Sequence, residues 1–168
     1  MKPTGLKLTE PLKAPAAGGL TQIGPLVRPV FLADIHLSGR NKKTILSLLW
    51  FLKTRAKRYE ELFLLGDIFE YWIGDDASSP AEFLARALSK YVAQGHRLYF
   101  MQGNRDFMLG EDFCRHCGGE LLQDGIVVEA AGSRILLSHG DRWCTLDTEY
   151  QAFRAQMHDE AFQLNALR

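Results

Sequence analysis

The chain has 168 residues, 46% hydrophobic and 24% charged, which suits one globular domain with a sizeable core. Basic and acidic residues both number 20, so bulk charge offers no footprint for a nucleic-acid partner. No apolar run approaches the roughly 20 residues that span a bilayer, no signal-peptide core is legible, and three cysteines, an odd count, point to a reducing compartment rather than a disulfide framework.

Residues 1–28 are rich in Pro, Gly and Ala and keep no period, so they are expected to form a flexible, mildly basic leader. The folded domain is expected to be 29–168. "VFLADIHL" is a short apolar run, the mark of a strand buried on both faces. In "NKKTILSLLWFLKTRAKRYE", Ile45, Leu48, Leu49 and Leu52 recur at helical spacing between basic residues. "ELFLLGD" predicts a second buried strand. "SSPAEFLARALSKYVAQG" predicts a helix with proline at its start and glycine at its stop. "HRLYFMQGN" predicts a third strand, and a short irregular or helical piece follows over 107–117. Cys114 and Cys117 form a lone C-x-x-C with no second ligand pair, so they read as small buried thiols rather than a zinc site. "GIVVEAAGSRILLSHGD" predicts a hairpin around Ala130–Ser133, and the tail from Thr148 predicts a helix. Alternating strands and helices imply an α/β fold with a parallel sheet, whose ligands lie outside the carboxyl ends of the strands.

Four apolar runs end in residues that bind metals. Asp34 and His36 follow the first, Gly66 and Asp67 the second, Gly103 and Asn104 the third, and His139, Gly140 and Asp141 the fourth. Taken singly, each acid or amide reads as a turn or helix-cap residue, and each histidine as an ordinary hydrogen-bonded residue. Jointly they form a nitrogen and oxygen donor set without thiolate, suited to Mn²⁺, Fe²⁺ or Zn²⁺ rather than to an all-oxygen Ca²⁺ cage. In a parallel arrangement all four ends can meet at one sheet edge. A carboxylate shared between two ions about 3.5–4 Å apart is the arrangement used in phosphoryl hydrolysis.

The stretches "FLADIHLS", "LGDIFEYWIGDD", "GNRDFMLG" and "SHGDRWCTLDTEYQAFR" resemble the calcineurin-like metallophosphoesterase superfamily, and within it the UDP-2,3-diacylglucosamine diphosphatase family of lipid A synthesis. The resemblance implies an αββα metallophosphoesterase sandwich, C-terminally incomplete in this chain. It implies two divalent ions, with Mn²⁺ expected. Asp34 and His36 would ligate the first, Asp67 would bridge, and Asn104 and His139 would ligate the second. Arg105 stands where many members of the superfamily carry a catalytic histidine. A guanidinium cannot deliver a proton at neutral pH but can clamp a phosphate. Asp67, Asn104, Arg105 and His139 are thus the implied catalytic set, and Asp106 would orient its neighbours. Asn104, Arg105, Asp147 and Tyr150 would contact the sugar nucleotide. From the residues alone, Asp147 and Tyr150 read as surface positions at a helix start. The implied reaction is hydrolysis of a diphosphate to UMP and 2,3-diacylglucosamine 1-phosphate. The implied partners are a lipid-linked sugar nucleotide and, peripherally, the cytoplasmic face of the inner membrane, with no nucleic acid. No strongly basic amphipathic helix is legible that would account for membrane contact.

The chain departs from that family in one respect. The family's later Gly-His-x-His pair is missing: Gly95-His96 runs on into Arg97-Leu98 ahead of a strand, and His116 and His158 read as surface residues without a paired ligand. Weak metal binding and little or no hydrolysis are therefore expected of these 168 residues alone. The alternatives are a non-catalytic remnant, or another metallophosphoesterase such as a phosphatase or nuclease. Arg105 and "IFEYWIGDD" argue against the latter.

Overall fold

The structure, a computed structural model, describes residues 22–72, 74, 80–159 and 161–163. In chain order the elements are β1 (Gln22–Leu26), β2 (Pro29–Leu32), α1 (Lys42–Thr54), β3 (Glu61–Leu65), α2 (Pro80–Val92), β4 (Arg97–Met101), α3 (Glu111–His116), β5 (Glu120–Leu122), β6 (Ile126–Ala130), β7 (Ser133–Leu137) and α4 (Thr148–Met157). They form two sheets. One is four-stranded and wholly parallel, ordered β2-β3-β4-β5, and the other is three-stranded and mixed, ordered β1-β6-β7.

The alternation along β3 and β4 makes two cores from one sheet. Leu62, Leu64, Leu98 and Phe100 face the helices and join Leu48 and Leu52 of α1, Leu84 and Leu88 of α2, and Phe113 of α3. Phe63, Tyr99 and Met101 face the other way and meet Leu26, Ile126, Val128 and Leu137 of the second sheet. Both faces are buried, which is why these strands read as unbroken apolar runs. Phe31, Phe63 and Tyr99, paired in register across three strands, stack at 5.1 and 4.7 Å between the sheets. The mixed α/β architecture, parallel sheet and hairpin agree with the metallophosphoesterase-like fold expected from the sequence. Cys114 and Cys117 are both buried.

Three expectations change. The leader was expected to run to residue 28, but Gln22–Leu26 is a strand pairing in parallel with β6 about a hundred residues later; residues 1–21 lie outside the described residues. The buried carboxylate of Glu61 fastens the turn after β1 by accepting from the N–H groups of Val27 and Arg28, and Arg97 pairs with it. Second, β2 is only half-buried throughout, because it is an edge strand of its sheet. Third, the strand that leads to His139 is not parallel to the others. It is β7, antiparallel to β6 in the second sheet. The strand ends still converge, but across the seam between the two sheets.

Candidate metal centre

Past their last paired residues, β2 and β3 continue side by side as loops. The N–H groups of Asp34, His36 and Leu37 donate to the carbonyls of Gly66, Asp67 and Ile68 at 3.2, 2.9 and 2.8 Å. This backbone zipper sets Asp34 and His36 beside Asp67. One ligand-type atom from each of the three lies within 4.8 Å of the others. All three have left-handed backbones, with φ of 52°, 51° and 51°. Such angles cost L-residues energy and cluster at functional sites, where the surroundings hold them.

Asp106, fully buried, holds the other side. Its Oδ1 accepts from the N–H groups of Asp67 (3.1 Å) and Gly103 (2.8 Å), and its Oδ2 from Ile68 (2.8 Å) and Phe69 (3.2 Å). Burial pushes this carboxyl above its ordinary range, and the four N–H groups pull it back only in part. The loops after β3 and β4 are thereby locked together, as the expected orienting role of Asp106 requires. Contact between them is close enough to need glycine. A Cβ on Gly66, whose φ is +85°, would lie 2.6 Å from His139 Nδ1 and 2.7 Å from Gly103 Cα.

His139 arrives from β7. Its N–H donates to Asp124 Oδ1 at 2.9 Å, and Ser138 Oγ donates to the same oxygen at 2.7 Å. Its ring Nδ1 lies 3.0 Å from the Leu65 carbonyl, which can only accept, so Nδ1 carries the proton. Nε2 is then an acceptor. It faces Asn104 Oδ1 at 3.1 Å and Asp67 Oδ1 at 3.7 Å. On the opposite side, Asp67 Oδ2 lies 3.8 Å from His36 Nε2. Asp67 therefore shows one oxygen to His36 and the other to His139, which Asn104 adjoins. Its Oδ1 also accepts from the Arg105 N–H at 2.8 Å.

Such converging lone pairs repel one another unless a cation lies among them, so this nitrogen and oxygen set fits divalent metal. All five residues expected as ligands are brought together.

The other expected residues divide. The Arg105 guanidinium is half-exposed, 3.8 Å from Glu70 Oε1. Asp147 caps α4, accepting from Tyr150 N–H at 3.0 Å, and is exposed. Tyr150 shares a small cavity with Asn104 and Phe107, but its hydroxyl donates to Asp141 Oδ2 at 2.6 Å. Arg154 Nε donates to the same oxygen at 2.8 Å. Burial raises the Asp141 carboxyl, yet these two donors outweigh it and hold the group below the usual carboxylate range. Of the remaining histidines, His96 stacks on Tyr91, His116 pairs with Glu82 at 3.6 Å, and His158 is half-buried at the end of α4.

Two residues of the site were not singled out from the sequence. Glu70 approaches the far side of His36, with Oε2 3.4 Å from Nδ1, so His36 turns Nε2 toward Asp67. Its place in "GDIFE" was the available signal. Asp124 in "LLQDGIVV" reads as a turn residue, and nothing local marks it as the anchor of His139.

No family model matches the chain. Among curated proteins it is 45% identical over 139 residues to a UDP-2,3-diacylglucosamine hydrolase of Stenotrophomonas maltophilia (strain R551-3), covering 82% of this chain and 56% of that protein. It is 46% identical over 131 residues to a protein of the same name from Marinobacter nauticus, covering 77% of this chain and 54% of the relative. A third, from Aliivibrio fischeri, is 42% identical over 130 residues with the same coverage. The chain is homologous to these hydrolases over about four-fifths of its length and spans just over half of theirs.

Proposed function

We propose that this chain carries the core of a two-metal hydrolase that cleaves the diphosphate of UDP-2,3-diacylglucosamine, giving UMP and 2,3-diacylglucosamine 1-phosphate in lipid A synthesis. The single observation behind this reading is Asp67, whose two oxygens face two separate donor groups, His36 on one side and His139 with Asn104 on the other. Asp34 and His36 would hold one ion, Asn104 and His139 the other, and Asp67 both. The expected ion is Mn²⁺. Bound there, divalent ions activate water and offset charge at the reacting phosphorus.

The remaining work falls to the chain. The Leu65 carbonyl keeps the proton of His139 on Nδ1 and so keeps Nε2 available. Glu70 places a carboxylate 3.4 Å from His36 Nδ1, near that ring nitrogen but without a hydrogen bond to it. Arg105 is exposed enough to reach a phosphate and planar enough to grip two oxygens, while its backbone N–H steadies Asp67. Because a guanidinium does not deliver a proton at neutral pH, this reading calls for a leaving group that departs as an anion. A phosphate monoester released from a diphosphate meets that condition, whereas a simple alkoxide does not. Asp147 and Tyr150 stand at the mouth of α4, where a nucleotide would displace the present Tyr150–Asp141 hydrogen bond or bind beside it.

Only His36 and His139, of five histidines, place a ring nitrogen within 4 Å of Asp67. The 168 residues alone are therefore expected to bind Mn²⁺ weakly and to turn over little. The test is UMP release from UDP-2,3-diacylglucosamine by the protein purified from its source cells, with Mn²⁺ supplied. Activity that depends on Mn²⁺ and disappears in Asp67→Asn supports the reading. Equal hydrolysis of a generic phosphomonoester, or full activity of Asp67→Asn, overturns it.

A further inference from the structure

Helix α4 has no fully buried residue, so its hold on the body of the protein depends on polar contacts. Two of them come from one side chain. Arg154 donates from Nε to Asp141 Oδ2 at 2.8 Å and from Nη2 to Asp124 Oδ2 at 3.4 Å. All three side chains are mostly out of water, with 20% of Arg154, 10% of Asp141 and 14% of Asp124 exposed. Exposed ion pairs contribute little, but taking one partner from a set this buried leaves the other charges uncompensated. The other cation at hand, Arg142, donates to the Asp124 backbone carbonyl at 3.2 Å and stands 3.8 Å from the carboxylate. The two carboxylates lead to different places. Asp124 Oδ1 holds the His139 N–H and the Ser138 hydroxyl, and Ser138 Oγ in turn accepts from the Gly140 N–H at 3.1 Å and Trp143 Nε1 at 3.2 Å. Asp141 Oδ2 accepts from the Tyr150 hydroxyl, whose ring lines a small cavity with Asn104.

We infer that Arg154 is a positioning residue for the metal centre: through Asp124 it fixes His139, and through Asp141 it fixes Tyr150. One cation thereby sets a metal donor and the helix beside it in a single register. The inference deepens the proposed function and rests on its reading of His139 as a donor. A guanidinium suits the task, because its rigid planar fork presents Nε and Nη2 to two carboxylates at once. A lysine ammonium would keep the charge but not the fork. The chain of contacts runs from α4 through Arg154 and Asp124 to the His139 backbone, and from there to a ring whose Nδ1 lies 3.0 Å from the Leu65 carbonyl. If the backbone anchor loosens, the ring loses the acceptor that keeps its proton on Nδ1 and its Nε2 free for metal. A second tie of α4 bypasses this chain. Gln151 Nε2 donates to the backbone carbonyls of Asp141 and Cys144 at 2.9 and 3.3 Å and touches neither carboxylate.

The experiment reads the His139 ring in the metal-free chain, so it needs no turnover and can fail while the hydrolase reading survives. Long-range ¹H–¹⁵N spectra of the wild type should show His139 as one tautomer, protonated on Nδ1. In Arg154→Met the His139 nitrogens should become averaged or broadened, with the His36 signals unchanged as the internal reference. Arg154→Lys should show the same loss, because one ammonium does not span both carboxylates. Gln151→Ala loosens α4 without touching Asp124 or Asp141 and should leave His139 as in the wild type. With Mn²⁺ added, electron paramagnetic resonance of the free ion should show Arg154→Met binding it about tenfold more weakly, the scale on which partners of a metal ligand act. An unchanged His139 spectrum in Arg154→Met overturns the inference. So does an equal loss in Gln151→Ala, which would make Arg154 one of several ties that only keep α4 in place. If Arg154→Met does not fold, Arg154→Lys carries the same two outcomes. Absence of Mn²⁺ binding in every form, wild type included, would sink the metal reading, and the His139 spectra would still decide the positioning.

Discussion

Asp106 receives four backbone N–H groups on two oxygens, so its role can be tested by changing one atom. In Asp106→Asn one oxygen becomes an –NH₂ that faces two N–H donors, and two buried hydrogen bonds become repulsive contacts. At about 1–3 kcal/mol for each buried group left unsatisfied, the variant should lose about 2–6 kcal/mol, read as a lower midpoint in urea. A loss under about 1 kcal/mol would mean that other contacts hold the loops after β3 and β4. Asp106 was recognisable in the sequence because it sits inside "GNRD". Asp34, His36, Asp67, Asn104 and His139 were recognisable because each follows an apolar run that has to end. Glu70 and Asp124 act on a histidine more distant in the chain, and no local pattern carries that information. The left-handed backbones of Asp34, His36 and Asp67 were equally hidden, because they arise from the pairing of two loops and not from the residue types.

At the scale of elements, α4 shows how a helix end couples to pH. Asp147 caps its start, and at its other end His158 donates its backbone N–H to the Arg154 carbonyl at 3.0 Å. Burial lowers the His158 pKa below 6.5, and Arg154 lowers it further, while Asp141 and Asp124 oppose. A histidine depressed on folding binds more protons unfolded than folded. Its contribution is therefore full above the ordinary value of 6.5 and is lost as pH falls through the lower folded value. Urea midpoints measured between about pH 5 and pH 8 should drop toward the acid end, and His158→Gln should flatten that part of the profile. An unchanged slope in the variant would assign the acid sensitivity to the carboxylates. The two sequence segments least readable as elements were β1 and β5. "QIGPL" has a Gly-Pro and no alternation, and it becomes a strand only because β6 offers an edge far along the chain. β5 is three residues long, too short for any period to appear. By contrast α1, α2, β3 and β4 each bury a regular stripe or two faces, which leaves a period in the sequence.

Over the whole molecule, the candidate metal centre lies on the seam of two sheets. Asp34, His36, Asp67 and Asn104 follow strands of the four-stranded sheet, and His139 follows β7 of the other. Without metal, the acceptors of Asn104, Asp67 and His139 crowd one another across this seam. A divalent ion should therefore act as a clasp between the sheets as well as a reagent. Binding only to the folded state stabilises by mass action, about 2.7 kcal/mol when free ion is a hundredfold above its Kd. Thermal unfolding of the metal-stripped chain should accordingly move to higher temperature as Mn²⁺ is added. His139→Ala should lose part of that rise, because it removes a donor from one group only. Asp67→Asn should lose most of it, because its two oxygens face both groups. Mg²⁺ should be the poorer clasp, since imidazole donors suit it badly. If His139→Ala kept the full Mn²⁺ response, metal would sit only among Asp34, His36 and Asp67, and the sheets would be joined by their apolar core alone.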